Sequence, residues 1–434
     1  MQKALKRFTL PGYVTYYGTT KKVMIPTEYQ EKDEELRGVW FSTVGNIDIP
    51  RMTNPDEIKQ YLLGVINKVK EFNMNTVVFQ VRPMNDAFYP SKLNPWSRYI
   101  TGKEGKDPGF DVFGYFVEEA KKAGITTHAW INPYRVTGQK LDELNMTKQE
   151  FLNKLDKKNF ARKHPECVIS TSLSKLILDP ASSKVRKFVT DTIIEIAQNY
   201  DIKAIHIDDY FYPYEPIADE DEERKFKESK FDKLSDFRRN NVDKLIKMIS
   251  QKLKKLEKKI EFGISPFGIY RTNAKFFEKD EVDEASWDKG SNNHKGCFSC
   301  YKGLYADVYL WMKKKWIDYV VPQNYFDFSN TKIDEKGEET CRVRYADLAK
   351  WWSWAAKKTG TKLYMGQGFY RYSEEGDWSN PEEIINQLRF NQVFPNIKGT
   401  LFFTYKNFVE EKVPSAVKAR ELLKELWKKP AKEI

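Results

Sequence analysis

The segment DIKAIHIDDYFYP (201–213) contains a short apolar run that ends in two adjacent aspartates. Successive side chains of an extended strand point to opposite faces, so the two isoleucines share one face, while Ala204, His206 and Asp208 share the other. We expect the isoleucines to face surrounding helices, His206 and Asp208 to face an interior, and Asp209 to lie at its mouth. The pattern indicates a buried parallel strand whose C-terminal end is polar.

Seven more runs of this kind occur along the chain, and helical patterns separate them. The helical patterns at 55–72, 111–123, 184–200 and 234–256 have apolar residues at a 3.6-residue period. Asn54 before Pro55 and Asn380 before Pro381 are typical of a helix N-cap followed by proline. The eight predicted strands are 37–44, 75–81, 125–133, 201–210, 259–267, 318–326, 362–370 and 399–408.

Strict alternation of strand and helix predicts an α/β fold, a (β/α)₈ TIM barrel with extended loops on its C-terminal face. We place an N-terminal arm at 1–34 and a catalytic barrel at 35–428. The alternative is a doubly wound sheet, which usually has a glycine-rich first turn. The first turn here, STVGNIDIPR (42–51), has a single glycine, and neither GxGxxG nor GxxxxGK[ST] occurs. We therefore expect no cofactor.

Composition restricts the possible partners. The chain has 434 residues, a formal net charge of +11, and 15% aromatic residues that include 11 Trp and 24 Tyr. Such rings fill a large core or stack on sugars. The lysines are spread through helical stretches rather than interleaved with aromatics, which argues against a nucleic-acid groove. No apolar run is long enough to span a membrane.

The N-terminus lacks the apolar region of a signal peptide. We therefore expect an extracellular or cell-envelope protein if an export signal has been removed, and a cytoplasmic protein otherwise. The four cysteines include a CxxC at Cys297 and Cys300, preceded by His294. A structural zinc site needs four grouped ligands, so a disulfide or free thiols are favoured and no metal is expected.

Polar and aromatic residues concentrate at the ends of the predicted strands, where barrel enzymes carry their active sites. Arg82 ends the second strand on the predicted inward face and is placed to pair with Asp208 and keep it ionised. The candidate substrate-binding residues are Gln80, Arg82, Asp86, His128, Trp130, Asn132, Tyr134, Arg135, His206, Tyr210, Ser265, Gln323, Asn324 and Tyr325.

Glycoside hydrolysis requires two carboxyl groups, one to donate a proton and one to attack the sugar or activate water. Asp208 is the first candidate, with Asp209 and Asp327 as the preferred partners and Glu215 and Asp86 as further ones. A metal hydrolase built from the histidines and Asp208 is the weaker alternative. The chain has no GxSxG motif for a serine nucleophile.

Nine motifs in order, spanning about residues 35–408, resemble the bacterial glycosyl-hydrolase-like family 10. They include NTVVFQVRPMNDAFYP, HAWINPYRV, IHIDDYFYP, FGISPFGIYR and VVPQNYF. The resemblance implies a (β/α)₈ barrel, carbohydrate-active function and export, and some members act on bacterial cell-wall glycan strands. The family motifs fall here on Gln80, Arg82, His128, Trp130, Asn132, Arg135, Asp208, Asp209, Gln323, Asn324 and Tyr325. The segment HKGCFSC (294–300) departs from the family pattern.

Three functions are therefore open. The first is an O-glycosidase that acts on an oligo- or polysaccharide such as bacterial cell-wall glycan. The second is a barrel that binds glycan without turnover. The third is a surface protein that binds polyanions through its net charge of +11, with an affinity that falls steeply with salt.

Overall fold

A computed structural model describes residues 1–273, 284–333, 335 and 339–434 of the chain. Its centre is a closed barrel of eight parallel strands, each hydrogen-bonded to the next along the chain and the last to the first. The predicted TIM barrel is confirmed. The strands are β1 (Leu36–Phe41), β2 (Thr76–Arg82), β3 (Thr126–Ile131), β4 (Ala204–Ile207), β5 (Glu261–Ile264), β6 (Tyr319–Val320), β7 (Lys362–Gln367) and β8 (Ile397–Phe402).

The α-helices surround this barrel. Each of the four predicted helical patterns corresponds to one helix that begins and ends within three residues of the predicted bounds. The helices are α1 (Pro55–Glu71), α2 (Arg98–Thr101), α3 (Val112–Lys122), α4 (Lys148–Lys154), α5 (Phe160–Lys163), α6 (Ser183–Asn199), α7 (Glu220–Lys227), α8 (Leu234–Leu253), α9 (Cys300–Gly303), α10 (Val308–Lys313), α11 (Tyr345–Thr359), α12 (Glu383–Asn391) and α13 (Pro414–Leu426).

The two predicted proline-marked helix starts differ. The Asn54 side chain accepts a hydrogen bond from the Asp56 amide and caps α1, as predicted. The Asn380 side chain instead accepts from Glu382 in a turn, and α12 begins only at Glu383. Asparagine side chains cap turns by the same local hydrogen bond, so this motif does not by itself fix the first helical residue.

The barrel strands separate two apolar regions. Ile205 and Ile207 of β4 pack in the large outer core between strands and helices, whereas Ala204 packs in a smaller cluster inside the barrel. The alternation predicted for β4 is therefore confirmed. The inner cluster consists of Leu36, Trp40, Val78, Trp130, Ala204, Tyr319, Val321, Tyr364 and Leu401. It fills the barrel, so ligand can be received only above it.

Both termini pack against the barrel. The N-terminal arm contains the antiparallel pair Gln2–Ala4 and Met24–Pro26, and its buried side chains join the outer core. The C-terminal segment continues past residue 428 along the N-terminal ends of the strands. There the Ala431 carbonyl accepts a hydrogen bond from Asn75, and the Glu433 carboxylate lies 3.0 Å from His128.

The cysteines are free thiols in this structure, so no disulfide links Cys297 to Cys300. The described residues contain no cluster of three or more His, Cys, Asp or Glu side chains able to hold a metal ion. Within the same part of the chain, no helix is both long and apolar enough to cross a membrane.

Candidate active site

Asp208 lies directly after β4 and is only 5% exposed. Trp130 Nε1 donates to its Oδ2 at 3.1 Å, Asn132 Nδ2 lies 3.2 Å from both carboxylate oxygens, and the Tyr210 amide donates to Oδ1 at 3.1 Å. Burial raises the pKa of Asp208, whereas these donors and the nearby cation of Arg135 lower it. The carboxylate is thus held in one orientation by donors that favour its ionised form.

Asp209 is equally buried but has a different set of partners. Gln323 Nε2 donates to its Oδ1 at 3.0 Å, and the Tyr214 hydroxyl donates to its Oδ2. Burial and the adjacent charge of Asp208 raise the pKa of Asp209 to about 6. Burial raises the pKa of both acids, but the charge of Asp208 adds to this effect at Asp209, whereas the nearby cation of Arg135 opposes it at Asp208. Such a difference in environment between two adjacent acids is typical of an acid–base pair.

Arg82 does not have its predicted role. The register between β2 and β3 shifts, so that Gln80 lies opposite Trp130 while Arg82 lies opposite Ile131. Trp130 belongs to the barrel interior and Ile131 to the outer core. This bulge turns Arg82 outward and breaks the alternation on which the prediction rested.

The buried guanidinium of Arg82 instead organises the loops at the ends of β2 and β3. Its Nη1 donates to the Asn132 carbonyl at 2.5 Å and its Nη2 to Asn85 Oδ1 at 2.8 Å. The cation that acts on Asp208 is Arg135, whose guanidinium lies 4.6 Å from the centre of the Tyr210 ring. Arg135 was a predicted site residue, and the structure brings it to the acid pair.

His206 lies inside the barrel below Asp208. Trp40 Nε1, which can only donate, is 3.2 Å from His206 Nε2, and the Ser265 hydroxyl is 2.9 Å from the same nitrogen. Burial lowers the pKa of His206 well below its ordinary value, so the ring is neutral. Its proton must therefore reside on Nδ1, which donates to the Tyr319 hydroxyl at 3.0 Å.

The Tyr319 hydroxyl extends this chain downward. It accepts from His206 and lies 3.0 Å from His128 Nδ1, and His128 Nε2 lies 3.0 Å from the Glu433 carboxylate. The two histidines thus form a hydrogen-bonded column along the barrel axis. They support the floor beneath Asp208 and are used up by these bonds, which argues against the metal-hydrolase alternative.

Several predicted site residues hold loops in place. Gln80 accepts from the Thr43 and Val44 amides at 3.0 and 2.8 Å and fixes the turn after β1. Asp86 accepts from Ser97 Oγ at 2.6 Å within the loop after β2, and Asn324 Nδ2 donates to the Tyr345 carbonyl at 3.1 Å. The Tyr134 ring packs, fully buried, in the outer core.

Besides Asp209 and Asp86, two further acids were candidates for the second carboxyl group. Asp327 accepts from the Asn330 amide, and burial raises its pKa to about 6 with a further contribution from the charge of Asp377. Glu215 lies 3.5 Å from Lys175 and lines a small pocket beside Tyr210. Asp209 is the candidate that adjoins Asp208, and the charge of Asp208 raises its pKa in addition to burial.

Half-exposed aromatic rings surround the acid pair. Tyr214, 41% exposed, stacks on Phe298 with ring centres 5.1 Å apart, and Tyr325 stacks on Phe403 at 5.9 Å. Sequence reasoning missed Tyr214, Phe298 and Phe403. Tyr214 lies five residues after Asp209 in YFYPY, and that aromatic run was the one available indication. Further rings at the mouth are Tyr210, Phe267, Phe326 and Tyr370.

Comparison with known proteins identifies the family of this chain. The family model described as glycosyl hydrolase-like 10 matches residues 35–381. The chain is 36% identical to glycosyl hydrolase YngK of Bacillus subtilis, over 99% of this chain and 78% of that protein. It is 32% identical to glycosyl hydrolase DigH of Escherichia coli K12, over 87% of this chain and 84% of that protein.

Among solved structures, the α-L-fucosidase isoenzyme 2 of Paenibacillus thiaminolyticus superposes with a TM-score of 0.52 at 9% identity, covering 91% of this chain and 50% of that one. This likeness concerns the barrel fold. The family match spans most of the chain and includes the strand ends that carry Asp208, Asp209 and Gln323. The chain therefore belongs to the glycosyl hydrolase-like 10 family.

Proposed function

We propose that this protein is a glycoside hydrolase in which Asp209 protonates the leaving oxygen. The Asp208 carboxylate acts on the anomeric carbon or on the water that attacks it. The observation that carries the proposal is the contrast between the two neighbouring acids. Asp208 accepts from three side-chain and main-chain donor groups and lies near the Arg135 cation, whereas burial and then the adjacent charge of Asp208 raise the pKa of Asp209 to about 6.

The surrounding groups fit a sugar substrate. Tyr210, Tyr214 and Tyr325 offer ring faces for stacking and hydroxyls for hydrogen bonds at the mouth. Gln323 bridges Asp209 and the Ser265 carbonyl and so fixes the acid against the barrel rim. We propose a polysaccharide substrate, and specifically bacterial cell-wall glycan, because that is the activity implied by the family resemblance.

The test is product analysis by mass spectrometry. Wild type and Asp208→Asn are incubated with peptide-free cell-wall glycan and with a panel of neutral polysaccharides. New oligosaccharides from wild type alone support the proposal and identify the polymer that is cleaved. Tight glycan binding without any product from wild type supports the alternative of a non-catalytic glycan-binding barrel.

We expect Tyr214→Phe to shift the alkaline limb of the pH profile of kcat/KM to higher pH, by about one unit. The proton donor must be protonated to act, so activity falls as pH rises through its pKa, which is about 6 for Asp209. The Tyr214 hydroxyl stabilises the ionised form of Asp209, and its loss raises that pKa. The measurement is kcat/KM from pH 4 to 9.

Tyr370→Phe is the matched control. It removes a hydroxyl at the same mouth that makes no hydrogen bond to Asp209 within the described part of the chain. Its profile should coincide with that of wild type. An unchanged or acid-shifted limb in Tyr214→Phe would contradict the assignment of Asp209 as the proton donor.

A further inference from the structure

A second recess lies beside the acid pair on the C-terminal face of the barrel. It is a groove of about 690 Å³ between the loops that follow β1, β2 and β3. Its apolar lining includes Met84, Tyr99, Leu144, Met146 and Phe151. The Tyr99 hydroxyl contacts the Met84 sulfur at 3.5 Å, and Asn46 Nδ2 donates to the Tyr99 carbonyl at 2.7 Å, so the floor of the groove is fixed.

Most of the charged side chains that line this groove are positive. Four are cationic, Arg51, Arg98, Lys103 and Lys154, and one is anionic, Glu104. The carboxylate of Glu104 already has partners within the protein. Glu104 Oε2 accepts from Arg98 at 2.8 Å, and its Oε1 accepts from Asn159 Nδ2 at 2.7 Å.

The other three cations of the groove are Arg51, Lys103 and Lys154, which are exposed and form no ion pair with any residue that the structure describes. Arg51 donates to the neutral Asn46 side chain at 3.2 Å, and the charge of Glu150 on α4 lies near Lys154. The groove therefore has an excess of positive charge above an apolar floor, which attracts an anionic ligand that also has apolar faces.

The groove adjoins a smaller pocket next to the acid pair. Thr137 and Gly138 line both the groove and this pocket, which Arg135, Tyr210 and Glu215 also line. The Tyr210 amide is one of the donors to Asp208. A linear molecule bound at Asp208 that extends past Tyr210 and Thr137 would therefore reach the groove.

We propose that this groove is a distal subsite for a carboxylate-bearing stretch of the same polysaccharide that is cleaved at Asp208 and Asp209. The inference rests on the proposed function and assigns part of the substrate specificity to Arg51, Lys103 and Lys154. These side chains contact acidic substituents several sugar units away from the scissile bond. The apolar floor contacts the sugar rings that carry them.

The experiment measures binding in the Asp208→Asn background, so that no glycan is consumed. The probes are fluorescent peptide-free cell-wall glycan strands, either native or with their carboxylates converted to methylamides. We expect Lys103→Glu/Lys154→Glu to weaken binding of the native strands about tenfold at low salt, because attraction becomes repulsion at two exposed positions. Affinity for the amidated strands should change less than twofold.

The control is Lys252→Glu/Lys358→Glu, which changes net charge equally. These exposed lysines lie near the C-terminal ends of α8 and α11, on the opposite face of the barrel. Its affinity for both strands should match the parent. The groove proposal would be overturned if the groove variant bound native strands as tightly as the parent does. It would also be overturned if the variant lost the same affinity for native and for amidated strands. If wild type forms no product, only the proposed activity is contradicted, because the binding measurement does not require turnover.

Discussion

Asp209→Asn is expected to lower kcat/KM for an unactivated glycan by about 10²- to 10⁴-fold, the usual contribution of a general acid. The amide cannot supply the proton that the leaving oxygen needs. The variant should stay folded, because the Asn Oδ1 can still accept from Tyr214 or Gln323. The measurement is initial rates on the polymer identified by product analysis.

The leaving group separates a proton donor from other roles. A substrate with an activated aryl leaving group departs without protonation, so Asp209→Asn should lose much less on it than on the natural polymer. Asp208→Asn should lose on both substrates, because the attack itself is impaired. Equal losses by Asp209→Asn on both substrates would contradict its role as the acid.

Asp327 is the competing candidate for the same role. Its neighbours are Asn330, Asp377 and Glu383. Burial raises the pKa of Glu383, and the charge of Asp327 raises it further. If Asp327→Asn rather than Asp209→Asn shows the loss that depends on the leaving group, the assignment moves to Asp327. Asp243→Asn serves as the control, since that acid on α8 is bound by Trp311 outside the barrel.

The strands were predictable because a buried parallel strand has a simple sequence pattern. The alternation of Ile205 and Ile207 against Ala204 and His206 follows from pleat geometry alone, and the structure confirms it. The clustering of polar residues at strand ends placed Asp208 correctly for the same reason. Local periodicity is enough wherever the backbone is regular.

Prediction was wrong where the backbone departs from that regularity. Arg82 follows a bulge, and a shift of one residue moves a side chain to the other face of a strand. The missed hydrogen-bond partners of Asp209 and His128 lie in an irregular loop and in a distant segment, respectively. Tyr214 lies in a loop of irregular conformation, and Glu433 arrives 305 residues after His128. No local pattern specifies such contacts, because they follow from how the loops and the C-terminal segment pack.

The second large effect concerns the barrel interior. Gly263 of β5 lies opposite Tyr319 of β6, and a Cβ on Gly263 would lie 1.9 Å from the Tyr319 ring. The ring cannot retreat, because it is buried and its hydroxyl bridges both histidines of the column. We expect Gly263→Ala to lower the free energy of unfolding by about 3 kcal/mol, at the upper end for overpacking of a core. The measurement is equilibrium unfolding in urea.

Gly64→Ala is the matched control, because the same methyl group is added at an exposed position of α1 with no atom within 4 Å. It should raise the free energy of unfolding by about 0.5–1 kcal/mol, since alanine favours the helix. In a Tyr319→Ala background the cost of Gly263→Ala should largely disappear, because two residues in contact are not additive. If Gly263→Ala lowers the free energy of unfolding by the same amount in that background, the loss arises from the β5 backbone. Contact with the Tyr319 ring would then not be the reason that glycine occupies this position.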